Sequence, residues 1–248
     1  MRAVRLARSV GSRGYYRLAR ANYERELLAR RNQTPAGTIR CYEPLNRHGD
    51  DAMLAAVATR CGPADVVYDI GANVGIYALA LASDRPDRRV IAFEPSPTTV
   101  QQLLANIRLN ALEDRITIQH CGLGDETGDR PFYVSTYPEC SAFDHESATR
   151  WGGRVADVRS VPIRRLDDLV GSNGDLPPPD ILKIDVEGAA AAVLRGARGT
   201  LERHRPTVFV EVHDAGLERD VPAETRAELE ASGYEIHERE TYWRCTPV

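Results

Sequence analysis

Short apolar runs alternate with helical periods along most of this chain. Val66–Ile70 is rich in β-branched residues and too short for an independent helix, so it indicates a buried strand. A glycine-containing turn follows it. Apolar and small residues then recur with a helical period at Ile76, Leu79, Ala80 and Ser83. A second apolar strand, Arg89–Phe93, ends in Glu94. Strand, glycine turn, helix and strand together predict one half of a nucleotide-binding α/β fold.

The same alternation continues to the end of the chain. After Pro97, a helical stripe is formed by Val100, Leu103, Leu104 and Ile107. Further strands are predicted at Arg115–Gln119, Ile181–Ile184 and Val208–Val212, and a closing hairpin at Tyr234–Glu238 and Tyr242–Cys245. Helical spacing covers 190–201, and a last helix, Ala223–Ser232, should end at Gly233. The pattern predicts five parallel strands with helices between them, then an antiparallel hairpin.

Two segments lie outside this regular alternation. Ahead of the first strand, Ile39–Tyr42 is a predicted short strand and Asp51–Arg60 a helix with Asp50 as its N-cap. Residues 129–180 are too long for one connection and contain two strand signals of their own, at Pro131–Val134 and Ser160–Arg164. We therefore expect a small β insertion, within a domain that covers residues 36–248.

Residues 1–35 are predicted to form a basic N-terminal helical extension. Residues 1–40 contain ten Arg and two Glu, whereas the whole chain has a net charge of −4. Gly11 and Gly14 should interrupt any helix there. One interpretation is a basic amphipathic segment that contacts an anionic membrane surface or a polyanion. The other is a solvated helix that packs one face on the domain.

Composition narrows the class of protein. The 248 residues support one sizeable core, and no run is long and apolar enough to cross a bilayer. The basic N-terminus lacks the continuous apolar stretch of a secretory signal. Five scattered cysteines without a C-x-x-C pair are typical of reduced thiols and do not predict a metal cluster. We expect a cytoplasmic protein, with peripheral membrane contact as the option that the basic segment leaves open.

The glycine turn decides between nucleotides. A dinucleotide fingerprint has the form G-x-G-x-x-G, but here Gly71 and Gly75 have no glycine between them and Asp69 stands just before the first. An acid at that position would repel a pyrophosphate but suits a cationic ligand. S-adenosylmethionine (SAM) carries an ammonium and a sulfonium and no phosphate, so the turn favours SAM over NAD. Glu94, at the end of the second strand, is placed to accept hydrogen bonds from both hydroxyls of a ribose.

Three motifs in order resemble the FkbM family of SAM-dependent methyltransferases. They are D-I-G-A-N-V-G at 69–75, F-E-P-S-P at 93–97 and K-I-D-V-E-G at 183–188, and the similarity runs from about Tyr42 to the C-terminus. The resemblance implies a class I methyltransferase fold, a mostly parallel seven-stranded sheet with helices on both faces. It also implies SAM as cofactor and O-methylation of a hydroxyl, or a carboxylate, on a sugar, glycan or secondary metabolite.

The resemblance also predicts a cofactor site, with Asp125 as the acceptor for the adenine amino group. A turn-forming role for Asp125 is the alternative. The predicted cofactor residues are Asp69, Gly71, Asn73, Gly75, Glu94, Pro95, Asp125 and Asp185. In open α/β sheets such residues meet at the carboxyl ends of the strands.

Catalysis is assigned to the loops that follow the fourth and fifth strands. The predicted catalytic residues are His213, Asp185, Glu187 and Glu211, with His213 favoured as general base because histidine titrates near neutrality. An exposed histidine and helix-capping acids are the alternative interpretations. Lys183 shares a face with Asp185 and would orient or neutralise it. A divalent metal bridging the three acids ranks second to a metal-free site.

Acceptor contacts are predicted at His48, Tyr137 and Ser141, in segments that border the nucleotide unit. A polar loop is the alternative for His48. Two other functions stay open. An RNA ribose methyltransferase would need a basic, aromatic face beside the site, yet the domain beyond the N-terminal segment is acidic. A SAM-binding scaffold protein would bind the cofactor without turnover.

Overall fold

The N-terminal part of the chain consists of a long helix and a hairpin packed beside the main domain. The computed structural model describes the backbone of residues 2–46, 48–171, 174–212 and 218–248, with side chains from residue 14 onward. Helix α1 is Arg2–Arg25, and it runs through Gly11 and Gly14 without a break, so the predicted interruption is wrong. Strands β1 (Arg30–Thr34) and β2 (Gly37–Cys41) form an antiparallel hairpin. This hairpin spans residue 35, where the sequence places a domain boundary.

Helix α2 (Ala52–Arg60) leads from the hairpin into the nucleotide unit. Its N-cap is Asp51, whose side chain accepts a hydrogen bond from the backbone N–H of Leu54, so the prediction of Asp50 as the cap is wrong by one residue. Met53 and Val57 are buried, as the helical period predicts. Burial of this face fixes where the loop before the helix lies.

The predicted nucleotide unit is present. Its elements are β3 (Val66–Ile70), α3 (Ile76–Asp84), β4 (Arg89–Phe93), α4 (Pro97–Leu109) and β5 (Ile116–Gln119). Helix α3 is buried along most of its length, while α4 begins with Ser96 as N-cap and Pro97 in its first turn. The three strands pair in parallel, β4 between β3 and β5.

The insertion forms a separate small sheet. Its elements are β6 (Gly122–Leu123), β7 (Gly128–Ser135), α5 (His145–Ala148), β8 (Val155–Arg164) and α6 (Leu166–Leu169), with 3₁₀ turns at Pro138–Cys140 and Arg150–Gly152. Strands β7 and β8 pair antiparallel, and β6 pairs parallel to β8. The small β insertion expected from the sequence is confirmed.

The second half completes the main sheet. Its elements are β9 (Ile181–Asp185), α7 (Ala190–Gly196), α8 (Arg198–His204), β10 (Thr207–Glu211), α9 (Val221–Ala231), β11 (Tyr234–Glu238) and β12 (Trp243–Pro247). The period expected over 190–201 is divided between two helices at Ala197. Within the described residues the main sheet has seven strands in the order β11-β12-β10-β9-β3-β4-β5. Only β12 runs antiparallel to its neighbours there, so the predicted fold class is confirmed.

Alternate residues of each strand face two different helical layers. Val67, Val90 and Phe209 pack toward α2 and α3, whereas Tyr68 and Val210 pack toward α7 to α9. The strand order reverses between β3 and β9, because β4 lies on one side of β3 and β9 on the other. Ligands of open α/β sheets bind at such a reversal, beyond the carboxyl ends of the strands.

Candidate active site

The turn after β3 packs directly against the end of β9. Gly71 has φ +77°, and a Cβ there would lie 2.0 Å from the carbonyl oxygen of Asp185. A side chain is therefore excluded by both conformation and space. The N–H groups of Gly71 and Ala72 both donate to the carbonyl oxygen of Phe93, at 3.1 and 3.0 Å. The turn is thus fixed to the ends of the strands on both sides of it.

Gly75 closes the turn at the start of α3, where the backbone has φ +92°. A Cβ there would approach a methyl carbon of Leu103 on α4 to 2.2 Å. Between the two glycines, Asn73 is exposed and has φ +51°. Both predicted glycines therefore serve close approach of chain segments, one to β9 and one to α4.

Lys183 is the centre of a buried charge cluster under this turn. Its Nζ lies 2.8 Å from Oδ1 of Asp69 and 3.6 Å from Oδ2 of Asp185, and it donates to the carbonyl oxygen of Gly71 at 3.0 Å. The side chains of Lys183 and Asp69 are 2% and 0% exposed. The pairing follows from register, since Asp69 and Lys183 are opposite each other on β3 and β9.

The carboxylates of this cluster favour the protonated form of Lys183. Burial alone would lower the pKa of Lys183, but the carboxylates of Asp69 and Asp185 outweigh burial and raise it. The other oxygen of Asp69 accepts a hydrogen bond from the backbone N–H of Ala78 in α3. One lysine therefore connects β3, the glycine turn and β9, while the Asp185 carboxylate stays one-third exposed at the edge of the site.

Glu94 lies at the end of β4 and is 6% exposed. Its two carboxylate oxygens accept backbone N–H groups of Asn73 and Ser96, each at 2.9 Å. Burial raises the pKa of Glu94 to about 7, although these two hydrogen bonds and the charge of Lys183 act in the opposite direction. Each carboxylate oxygen of Glu94 can accept a further hydrogen bond. Because burial disfavours the charged form, further donors would favour the ionised carboxylate.

Two acids lie at the ends of β9 and β10, and a third lies in the loop after β9. Asp185 and Glu211 are opposite each other in the register of the two strands. Glu187 instead receives a hydrogen bond from Arg150 of the insertion, in an ion pair whose side chains are 2% and 11% exposed. The Arg150 guanidinium also lies 4.4 Å from the ring centroid of Trp151. The insertion therefore contributes a buried cation to the loop after β9.

Of the other predicted residues, Asp125 follows β6 and is exposed. Its carboxylate lies 2.8 Å from Nε of Arg195, which outweighs the effect of burial and lowers the pKa of Asp125. Its assignment to adenine stays a prediction. Pro95 is half-buried beside Glu94. His213, the favoured base, lies outside the described residues.

The three predicted acceptor residues lie in two places. Ser141 accepts the backbone N–H of Ser135 within the insertion, and the ring of Tyr137 lies 6.1 Å from that of Tyr16 in α1. His48 instead lies beside α3, where its ring makes an edge contact with Tyr77. Tyr77 links His48 to the strand ends, because the Tyr77 ring also contacts Lys183. Nζ of Lys183 lies 4.9 Å from the ring centroid of Tyr77.

Helix α1 also approaches the acceptor segments. The hydroxyl of Tyr15 donates to Glu43 and that of Tyr16 donates to Glu139. Further along, the hydroxyl of Tyr23 accepts from the buried amide of Asn106 in α4. The C-terminal half of α1 is therefore packed on the domain through tyrosines.

Three residues of the site were missed from the sequence: Asp51, Tyr77 and Arg150. Tyr77 directly follows the glycine turn in α3, a position that could have identified it. No local sequence pattern identifies Arg150 as a site residue, because it lies in the insertion, 37 residues before Glu187. Over the part of the chain that the structure describes, no group of three or more His, Cys, Asp or Glu residues is arranged to hold a metal ion.

Comparison with known proteins agrees with this fold. The family model described as "Methyltransferase FkbM domain" matches residues 69–236 of this chain. The 31-O-demethyl-FK506 methyltransferase FkbM of Streptomyces tacrolimicus is 30% identical over 205 residues, which cover 71% of this chain and 72% of that protein. The hexuronic acid methyltransferase AglP of Haloferax volcanii is 28% identical over 173 residues, which cover 70% of this chain and 66% of that protein.

A crystal structure of the methyltransferase FkbM from Methylobacillus flagellatus KT has the same fold. It superposes with a TM-score of 0.54 at 20% identity, covering 77% of this chain and 46% of that one. The present chain therefore spans about half the length of the solved protein. The sequence match extends from the Asp69 turn through the last strands of the sheet. The chain accordingly belongs to the FkbM family of SAM-dependent methyltransferases and has a class I methyltransferase fold.

Proposed function

We propose that this chain transfers the methyl group of SAM to an oxygen atom, a hydroxyl or a carboxylate, of a sugar, glycan or secondary metabolite. The observation that carries the proposal is the meeting of the Gly71 turn, Glu94 and the Lys183–Asp69–Asp185 cluster at one edge of the sheet. Each contains residues of the three sequence motifs, and together they lie at the strand reversal, where open α/β sheets bind ligands.

The residues present fit SAM. Glu94 has two acceptor oxygens that each use one backbone N–H, so hydroxyl donors of a ribose would satisfy the remaining capacity and favour its ionised form. Gly71 leaves its turn without a side chain. Asp185 presents a partly exposed carboxylate, suited to an ammonium group, while Lys183 beneath it limits the build-up of negative charge.

SAM supplies an electrophilic methyl group on a sulfonium that is already a good leaving group. The protein has to hold the acceptor oxygen in line with that methyl group, exclude water and accept a proton. The Lys183 cluster fixes the turn and the end of β9 relative to each other, which limits misplacement of the reacting atoms. Proton acceptance is assigned by the sequence to the acidic loops after β9 and β10 and to His213.

The acceptor class rests on the relatives and on the insertion. The names of two relatives give 31-O-demethyl-FK506 and a hexuronic acid as the substances that those proteins methylate. In this chain the loop after β9 is covered by Arg150, and the neighbouring Trp151 is 65% exposed with φ +53°. An exposed aromatic ring in a rarely populated backbone conformation is typical of a ligand contact. We propose that the acceptor binds between this insertion and the strand ends.

Calorimetric binding followed by an acceptor screen tests the proposal. The purified chain should bind S-adenosylhomocysteine. Release of that product from SAM should depend on an acceptor, to be screened among methyl glycosides of hexuronic acids, methyl glycosides of neutral hexoses, and polyketide polyols. The variant that tests the acceptor site is Trp151→Ala. It should raise KM for the acceptor without changing the affinity for S-adenosylhomocysteine. Cofactor binding with no turnover on any acceptor would instead favour the scaffold function.

A further inference from the structure

A histidine and a carboxylate are paired beside the glycine turn, outside the three sequence motifs. Nδ1 of His48 lies 2.8 Å from Oδ2 of Asp51. The side chains are 36% and 16% exposed, so the pair is partly sheltered but open on the histidine side. Asp51 is fixed by its position as the N-cap of α2.

The hydrogen bonds of this pair define which ring nitrogen can accept a proton. Burial raises the pKa of Asp51, but hydrogen bonds from His48, from the Leu54 N–H and from the Tyr77 hydroxyl outweigh burial and lower it, so the carboxylate is ionised. An ionised carboxylate can only accept hydrogen bonds, so Nδ1 carries the proton in neutral His48. Nε2, which makes no hydrogen bond to the described residues, is then left with a lone pair.

Helix capping does not account for the whole arrangement. Oδ1 of Asp51 accepts both the Leu54 N–H, at 2.8 Å, and the Tyr77 hydroxyl, at 2.7 Å. Oδ2 is not needed for either contact and faces His48. The carboxylate therefore caps the helix with one oxygen and orients an imidazole with the other.

Tyr77 connects the pair to the strand ends. Its ring makes an edge contact with His48, with ring centroids 6.1 Å apart, and its centroid lies 4.9 Å from Nζ of Lys183. Lys183 in turn contacts Asp69 and Asp185. His48 therefore lies one aromatic ring away from the cluster on which the proposed cofactor site is built.

We propose that His48 and Asp51 form the base dyad of the methyl transfer, an inference that rests on the proposed function. Nε2 of His48 takes the proton of the acceptor hydroxyl as the oxygen lone pair forms the new bond to the methyl carbon. The electron pair of the breaking carbon–sulfur bond goes to sulfur, which becomes neutral. Asp51 stabilises the imidazolium that results and is a positioning residue.

An NMR titration of the full chain, with its six histidines labelled, tests the location of His48 without an acceptor. Among the described residues, Asp51 on α2 and Tyr77 on α3 contact His48, and Lys183 contacts the Tyr77 ring. The carboxylates of Asp185 and Glu211 also act on Tyr77, where they add to the effect of burial in raising its pKa. In the SAM complex the sulfonium charge should lower the titration midpoint of His48 by about half a pH unit relative to the S-adenosylhomocysteine complex. The peak is assigned with His48→Gln.

His237 provides the matched control. It lies on β11 at the edge of the sheet, and its Nε2 is 3.8 Å from a carboxylate oxygen of Glu235. Its midpoint should be the same in both complexes. An unchanged His48 midpoint would overturn the dyad and leave the proposed function standing, whereas failure to bind either ligand would overturn both.

Kinetics on a methyl glycoside that supports turnover give the second test. His48→Gln should lower kcat by roughly 10²–10⁴-fold, the usual range for a lost general base, with unchanged affinity for S-adenosylhomocysteine. Asp51→Asn keeps an N-cap side chain and should move the rising limb of the pH–rate profile to lower pH, because the imidazolium loses its counter-charge. His237→Gln should behave as wild type. Loss of the rising limb in His213→Gln, with the limb retained in His48→Gln, would contradict the dyad.

Discussion

Removing the amine of Lys183 should destabilise the protein more than any exposed ion pair can. In Lys183→Met, Asp69 stays fully buried and keeps the Ala78 N–H on one oxygen, but Oδ1 loses the cation that lies 2.8 Å away. Breaking a buried pair from one side costs about 3–5 kcal/mol in the free energy of unfolding, since the remaining charge is desolvated without compensation. For a chain of 248 residues this corresponds to a decrease in Tm of roughly 6–20 °C.

Chemical unfolding followed by circular dichroism measures the effect, and two further variants interpret it. Asp69→Asn in the Lys183→Met background removes the buried charge, so it should restore about 2 kcal/mol or more. Arg20→Met, which breaks an exposed pair with Glu24, should change the free energy of unfolding by less than about 0.5 kcal/mol.

The stability of Lys183→Met should also improve as the pH falls. Without its cation the buried Asp69 carboxylate is an unpaired charge, and protonation at lower pH removes that charge. In the wild-type protein Lys183 is the only lysine, so its Nζ resonance is unique, and it should stay protonated above the usual range because its pKa is raised. A Lys183→Met stability within 1 kcal/mol of wild type, on the order of an exposed pair, would refute the central role of the cluster.

Three further predictions concern the turn, the acid of β4 and the basic segment. Because burial raises the pKa of Glu94 from 4.5 to about 7, the folded protein holds this proton more tightly than the unfolded chain. As the pH rises from 4.5 to about 7, the free energy of unfolding should therefore fall by up to about 3 kcal/mol. Urea titrations of Glu94→Gln should show a smaller fall over the same pH range. Gly71→Ala should cost about 1–3 kcal/mol and abolish calorimetric binding of S-adenosylhomocysteine, since its Cβ would meet the Asp185 carbonyl oxygen; unchanged binding would mean that the turn does not face the ligand. Replacing Arg2, Arg5 and Arg8 by Gln should weaken sedimentation with anionic liposomes and leave product affinity alone, whereas equal sedimentation would contradict the membrane interpretation.

Local patterns were enough to predict the nucleotide unit. The apolar run before Gly71, the helical period after it and Glu94 at the next strand end are all encoded within a few residues of each other, and the structure reproduces them. The alternation of strands and helices also predicted five parallel strands and a closing antiparallel hairpin, which the structure contains. No described helix is long and apolar enough to cross a membrane.

Contacts between distant segments were harder to predict. Strand alternation placed Lys183 on the same face as Asp185, but the shortest contact is to Asp69, because the parallel register sets Lys183 opposite it on the neighbouring strand. The pairing of Arg150 with Glu187 depends on how the insertion folds back, which no local period encodes. The predicted helix interruption at Gly11 and Gly14 does not occur, because a helix propensity cost of about 1 kcal/mol per glycine does not by itself end a helix.

Calorimetric titration with S-adenosylhomocysteine, SAM and NAD, on the wild-type chain and on Glu94→Ala, tests the central claim most directly. We expect the wild-type chain to bind S-adenosylhomocysteine and SAM but not NAD. Glu94→Ala should weaken binding of the first two ligands by about 1–3 kcal/mol through the loss of charge-assisted hydrogen bonds. Binding of NAD, or unchanged affinity for S-adenosylhomocysteine in Glu94→Ala, would contradict the assignment of the strand-end cluster to SAM.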